Sequence, residues 1–111
     1  MGRNMVRHGE VIAVKSECVD AYVEHHRQIW PEVSAKIYEC NIRNYSIYMH
    51  NGLLFAYYEY VGQDFAADMA KMTADPKTQE WWSVVKPLQS PLASRKNHEW
   101  WASMDEVFHQ D

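Results

Sequence analysis

The dipeptide Asn51-Gly52 constrains this chain more than any other feature, because it joins two apolar segments of strand length. Both residues tolerate positive φ, which a two-residue hairpin turn requires. The preceding segment, Ile42–His50, alternates between two faces, and the following segment, Leu53–Tyr60, is apolar on both faces. The sequence therefore predicts an antiparallel hairpin in the middle of the chain.

Helical patterns flank this hairpin on both sides. Val19, Tyr22, Val23 and His26 recur at the spacing of one helical stripe, and Pro31 suits the first turn of a second helix. A short apolar segment near each end of the chain indicates a further strand. We predict strands over residues 10–15, 42–50, 53–60 and 104–109, and helices over residues 19–28, 31–40, 63–72 and 76–85.

The resulting order, β-α-β-β-α-β, is typical of a ferredoxin-like α+β fold, with helices on one face of an antiparallel sheet. A chain of 111 residues has room for a single domain, which we assign to residues 1–111. Strands that are apolar on both faces need a second cover. A partner subunit's sheet is the simplest one, so we expect a homodimer.

Charge and composition exclude several classes of protein. The net charge is −4 and the basic residues are scattered, which argues against nucleic acid as a partner. No apolar run is long enough to cross a membrane, and the N-terminus lacks a signal-peptide pattern. Cys18 and Cys40 form neither a metal spacing nor a disulfide framework, so we expect a cytoplasmic protein.

Aromatic residues are unusually frequent for such a small chain. Five Trp, seven Tyr and three Phe make up 14% of it. Residues of this kind line apolar pockets and pack subunit interfaces. Either use, or both, fits this composition.

Tyr22 and His26 are the first candidates for chemistry. They stand four residues apart on one predicted helix, so their side chains are neighbours. Histidine is the commonest general acid and base near neutral pH, although a pair at this spacing is also an ordinary packing feature. The six histidines show no metal-ligand spacing, so we expect no metal.

Two pairs of adjacent tryptophans are the second candidates. Trp81 and Trp82 point about 100° apart on a helix, so one can pack inward while the other lines a pocket. An indole face suits the apolar face of a sugar, whereas packing or dimer contact is the alternative use. Trp100 and Trp101 follow Glu99 in an irregular segment, where we expect loop anchoring or pocket closure.

The order of these motifs resembles the L-rhamnose mutarotase family over residues 10–109. The resemblance rests on these segments: Tyr22-x-x-x-His26, Ile29-Trp30-Pro31-Glu32, Asn44-Tyr45-Ser46-Ile47-Tyr48, Trp81-Trp82 and Glu106-Val107-Phe108. It implies a ferredoxin-like dimer that interconverts the α and β anomers of L-rhamnose without metal or cofactor. It also implies that His26 is the catalytic proton donor. The sugar-binding positions that it implies are Tyr22, Tyr45, Trp81 and Trp82.

The chemistry of mutarotation is consistent with this assignment. Opening the pyranose ring needs one proton delivered to the ring oxygen and one removed from the anomeric hydroxyl, and imidazole can do either. The second proton-transfer group stays open among Tyr22, Glu32, Tyr45, Tyr48 and His50, with Tyr22 first. Flat aromatic walls would let the open-chain aldehyde turn before the ring closes again.

One segment departs from the family pattern, which carries Asn-Pro-x-Asn-Ser-Pro after the tryptophans. Here the corresponding residues are 86–91, Lys-Pro-Leu-Gln-Ser-Pro. L-Fucose, another 6-deoxy-L-hexose, is therefore the second candidate substrate after L-rhamnose. A dimeric α+β barrel oxygenase or haem-binding protein and a non-catalytic sugar-binding module are the further alternatives, because fold alone does not determine function.

Overall fold

The computed structural model describes residues 5–111. No helix in this part of the chain is long and apolar enough to span a membrane. Short 3-10 turns at Ser16–Cys18 and Lys86–Leu88 connect regular elements. The regular elements are β1 (Val6–Val14), α1 (Val19–Arg27), α2 (Pro31–Glu39), β2 (Ile42–His50), β3 (Leu53–Tyr60), α3 (Phe65–Ala74), α4 (Pro76–Val85), β4 (Gln89–Ser90) and β5 (Ala102–Met104).

The central hairpin forms as predicted. Asn51 and Gly52 have φ of 53° and 73°, and the adjoining residues His50 and Leu53 pair directly across the turn. Nearer the start of β2, between Arg43 and Ser46, the pairing with β3 shifts in register at a bulge, where Asn44 adopts a φ of 51°. Such a bulge changes which way the neighbouring side chains point.

The sheet confirms the ferredoxin-like fold. Its strand order is β2-β3-β1-β4, with β5 also paired to β1, and every pairing is antiparallel. Every second residue of β3 is buried, and these residues share a face with the helices. The main core cluster between sheet and helices contains Ile12, Val14, Tyr22, Val33, Leu54, Trp81 and Val85.

The last strand differs from its prediction. We expected residues 104–109, whereas β5 covers only Ala102–Met104, and residues 105–111 have no regular structure. Pairing with β1 stops at Gly9, beyond which an ion pair between Arg7 and Glu106, 2.9 Å, holds the chain close to the sheet. A side-chain contact therefore replaces the backbone ladder there.

Other bounds depart from the predictions as well. Helices α1 and α2 each end one residue earlier than predicted, and α3 covers Phe65–Ala74 rather than residues 63–72. β1 begins at Val6 rather than at residue 10, because the whole segment pairs with β3 from Val6 opposite Tyr60 onward. β4 lies between the predicted helix 76–85 and the predicted last strand, where we predicted no strand. Pro87 and Pro91 bracket it, and since proline cannot donate a ladder hydrogen bond, only two residues pair there.

Candidate active site

His26 lies in the last turn of α1, directly over Tyr22 one turn earlier. The two rings stack with centroids 4.2 Å apart. The Nδ1 atom of His26 is 3.0 Å from the backbone carbonyl oxygen of Tyr22. Since a carbonyl can only accept, Nδ1 carries the proton, and in the neutral ring Nε2 is left with its lone pair. This contact therefore sets the tautomer of His26.

Burial also controls the charge of His26. Desolvation lowers the pKa of the half-buried imidazole, and nearby His25 lowers it further, although the hydrogen bond to the Tyr22 carbonyl opposes both effects. The neutral ring is therefore favoured near pH 7. A neutral imidazole with a free Nε2 atom is able to accept a proton from a hydroxyl group.

Trp81 supports the histidine from α4. Its ring meets the ring of His26 edge-on at 5.3 Å and the ring of Trp30 at the same distance. Trp81 is only 4% exposed and belongs to the main core cluster. His25 touches the same indole at 6.4 Å. Trp81 therefore holds the imidazole in place by packing, and very little of it is open to a ligand.

The hydroxyl of Tyr22 is hydrogen-bonded by Gln89 of β4. The Gln89 amide nitrogen donates to that hydroxyl at 3.3 Å, and its amide oxygen accepts from Nε1 of Trp100 at 2.7 Å. Gln89 and Tyr22 are both buried. Desolvation raises the pKa of Tyr22 to about 12, so its hydroxyl stays protonated at neutral pH.

Tyr45 comes to the same side of the sheet from the bulge of β2. Its ring meets the edge of Tyr58 of β3 at 5.5 Å, and the Tyr58 hydroxyl donates to Glu10 of β1 at 3.1 Å. Desolvation, followed by electrostatic interaction with Tyr22 and Glu10, raises the pKa of Tyr45. These four groups are therefore close enough to influence one another, although 43% of Tyr45 remains exposed.

Trp82 faces a different space from Trp81. It lines a cavity of about 610 Å³ together with Trp100, Lys86 and Gln89. The ammonium group of Lys86 lies over the rings of both tryptophans, at 4.8 and 5.4 Å. His26 does not line this cavity. Gln89, which does, connects it to Tyr22 through the hydrogen bond described above.

Glu99 organises the segment between β4 and β5. Its carboxylate accepts hydrogen bonds from the backbone of Lys96 and from the hydroxyl of Ser103, at 3.0 and 2.5 Å. These bonds lower the pKa of Glu99 to about 2. Together with the bond from Trp100 to Gln89, they anchor this loop against the sheet.

The predicted residues thus fall into three connected groups. Tyr22, His26 and Trp81 are in direct contact, Tyr45 approaches them across the sheet, and Trp82 lines the neighbouring cavity. Sequence reasoning missed three residues that complete these groups: Glu10, Tyr58 and Gln89. For Glu10 a signal existed, because it occupies the same strand face as the buried residues Ile12 and Val14.

Comparison with known proteins gives a consistent result. A sequence profile described as L-rhamnose mutarotase matches residues 7–110 of the chain. The L-rhamnose mutarotase of Oceanobacillus iheyensis is 30% identical over 115 residues, covering 96% of this chain and all of that protein.

Solved structures agree on the fold. A crystal structure of an L-rhamnose mutarotase from Formosa agariphila superimposes with a TM-score of 0.74 at 21% identity, covering 96% of this chain and 99% of that one. The tetracenomycin F2 cyclase of Streptomyces glaucescens superimposes with a TM-score of 0.66 at 14% identity, covering 96% and 97%. The same architecture therefore occurs in proteins with different chemistry.

Proposed function

This chain belongs to the L-rhamnose mutarotase family, a family of carbohydrate isomerases, and we propose that it interconverts the α and β anomers of L-rhamnose at the cluster around His26. The observation that carries this proposal is the tautomer of His26, in which Nδ1 is bound to the Tyr22 carbonyl and Nε2 is left free. Mutarotation needs one group that removes a proton from the anomeric hydroxyl and later returns it. A neutral imidazole with a free Nε2 has that property.

The surroundings of His26 support proton transfer in a fixed geometry. Stacking on Tyr22 and edge contact with Trp81 hold the ring from two sides. A preorganised group loses little entropy when the sugar binds, so modest acid-base assistance is enough for a reaction that also proceeds unaided. Tyr45 is partly exposed and can contact the sugar, while half-buried Trp82 lines the neighbouring cavity.

L-Fucose is a second candidate substrate because the altered segment 86–91 reaches the site. Gln89 within it is buried and hydrogen-bonded to the Tyr22 hydroxyl. A change in this segment therefore alters the wall around the predicted sugar position. The two 6-deoxy sugars differ in the configuration of ring hydroxyls, which such a wall can distinguish through hydrogen bonds.

A homodimer is the proposed assembly, with the sheet face away from the helices as the contact surface. Tyr48 is 68% exposed on this face, and its pairing partner Phe55 is only half-buried. In the C-terminal segment Val107 and Phe108 are 93% and 76% exposed. Apolar surface of this kind favours a second copy. Sedimentation should give a species of twice 13.1 kDa, and a monomer at micromolar concentration would contradict this assembly.

Anomer exchange measured by NMR tests the function directly. His26→Phe keeps the aromatic stacking but removes proton transfer, so we expect the catalysed exchange of L-rhamnose to fall by about 10²–10⁴-fold. His25→Phe is the matched control, because it alters the neighbouring ring against Trp81 and should retain most of the activity. Wild-type protein that binds the sugar but leaves exchange at the uncatalysed rate would instead indicate a binding module.

A further inference from the structure

Glu10 is a half-buried carboxyl on the helix-facing side of β1. It pairs directly with Ala56, which is 2% exposed, and it lies next to fully buried Ile12 on the same strand face. Within residues 5–111 Glu10 forms no ion pair, and its one side-chain hydrogen bond there comes from Tyr58. Burying a carboxylate without a cation on such a face costs free energy, and an apolar side chain would fill the same position without that cost.

The groups around Glu10 belong to the proposed site. The hydroxyl of Tyr58 donates to its Oε2 atom at 3.1 Å, and the ring of Tyr58 meets that of Tyr45 at 5.5 Å. Both Glu10 and Tyr22 act electrostatically on the hydroxyl of Tyr45. Because His26 stacks on Tyr22, this chain of neighbours joins the carboxyl on the sheet to the imidazole on α1.

Burial also changes the proton affinity of Glu10. Desolvation raises the pKa of its carboxyl and the charge of Glu99 raises it further, while the hydrogen bond from Tyr58 opposes both. His26 is shifted in the opposite direction, because burial lowers its pKa. The two proton affinities therefore approach each other, as is typical of an acid and base that exchange roles near neutral pH.

We propose that Glu10 is the second proton-transfer group of anomer exchange, acting across the sugar from His26. The inference rests on the proposed function and deepens it. It also replaces Tyr22 as the first choice for this role, because the pKa of Tyr22, about 12, makes its hydroxyl a poor partner for proton exchange at neutral pH. A carboxyl group can both donate and accept there.

The step balances with these two groups alone. The Nε2 atom of His26 takes the proton from the anomeric hydroxyl, whose O–H electrons form the carbonyl bond at C1. The bond from C1 to the ring oxygen breaks, and the ring oxygen takes the proton of the Glu10 carboxyl. After rotation about C1–C2, the C5 hydroxyl, which carries the former ring oxygen, attacks the other face of the carbonyl and returns its proton to Glu10. At the same time His26 reprotonates the anomeric oxygen. Both groups regain their starting states.

Three other titratable groups near Glu10 keep their charge state in the pH range where Glu10 titrates. Burial raises the pKa of Tyr58 and of Tyr45, so both stay neutral, and Glu99, with a pKa of about 2, stays ionised. His8, two residues away on the same strand and stacked on Tyr58, has a pKa lowered by burial and is neutral above pH 6.5. The acid limb of the pH profile therefore reports on Glu10 together with the histidines.

Glu10→Gln tests the inference, because glutamine keeps an oxygen for the Tyr58 hydroxyl but cannot transfer a proton. We expect kcat for L-rhamnose exchange to fall at least tenfold, KM to stay within about twofold, and one ionisation to disappear from the pH profile. Glu59→Gln is the matched control. This strand carboxylate on the opposite sheet face also accepts from a tyrosine, Tyr57 at 2.7 Å, and its replacement should leave exchange unchanged.

The outcomes separate this inference from the proposed function. Wild-type protein that does not accelerate exchange refutes the function itself. An active wild type with a Glu10→Gln variant within twofold of its kcat, or with the loss confined to KM, overturns the role of Glu10. If Glu10→Gln does not fold, Glu10→Asp decides: the shorter carboxyl should lower kcat at least tenfold with KM retained, and a wild-type kcat would reject the proposal.

Discussion

Gln89→Met should destabilise the protein, because Gln89 bridges two elements that are distant in sequence. Its side chain is 5% exposed, and it bonds to the Tyr22 hydroxyl and to Nε1 of Trp100. Methionine has similar volume, so packing is largely retained and the loss of both hydrogen bonds dominates. The substitution leaves one buried group and one half-buried group without their partner.

The expected magnitude follows from the burial of these two partners. A buried polar group left unpaired costs about 1–3 kcal/mol. The Tyr22 hydroxyl belongs to a residue that is 3% exposed and falls toward the upper end, whereas half-buried Trp100 can recover part of its loss from water. The free energy of unfolding should therefore fall by about 2–4 kcal/mol. With a urea dependence of about 2 kcal/mol per M, the midpoint moves down by roughly 1–2 M.

Urea unfolding followed by tryptophan fluorescence measures this change, with all variants at one protein concentration. Gln79→Met is the matched control, since the side-chain amide of exposed Gln79 donates to the Thr73 carbonyl at the surface, and its replacement should change stability by less than about 0.5 kcal/mol. Equal midpoints for the two variants would refute the reasoning. They would mean that the bridge from β4 to α1 adds nothing to stability.

Two further predictions concern the tryptophan pair and the pH dependence. Trp81→Ala should lose about 3–5 kcal/mol of stability, whereas Trp82→Ala, at a half-buried position, should unfold at nearly the wild-type temperature but bind sugar more weakly. Thermal denaturation and sugar titration would separate the two variants, and equal losses of stability would contradict the assignment. Burial lowers the pKa of His8, so its contribution to stability is present above pH 6.5 and is lost as the pH falls through the lower folded-state value. His8→Phe keeps the stack on Tyr58 and should flatten the decline in urea midpoint between pH 7 and pH 5; an unchanged slope would argue against this role.

Local patterns predicted most of the secondary structure. Asn51-Gly52 defined the hairpin because few residues other than these adopt positive φ easily. Pro31 and Pro76 marked two helix starts correctly, since proline is favoured in the first helical turn. The final strand was placed wrongly, because its three residues pair with β1 wherever the backbone groups of β1 have no other strand beside them, and local sequence pattern does not show this.

The family assignment, which the comparisons confirm, also came from the sequence. Motif order and spacing carried it, and they likewise brought forward Tyr22 and His26 as helical neighbours, which stack at 4.2 Å. Spacing did not reveal which tryptophan packs inward. The orientation of α4 about its own axis determines that Trp81 is buried and that Trp82 lines the cavity.

Tertiary structure alone brought together groups from separate strands. Glu10, Tyr58 and Gln89 lie on β1, β3 and β4, and none of the three was predicted as a site residue. The register between β1 and β3 places Glu10 on the helix-facing side beside Tyr58. The pairing of β4 with β1 brings Gln89 to the Tyr22 hydroxyl. Local pattern therefore determined the elements and the helix that carries Tyr22 and His26, because both depend on near neighbours. The polar partners of that helix depend on contacts between residues up to 67 positions apart, which only the folded chain brings within hydrogen-bond distance.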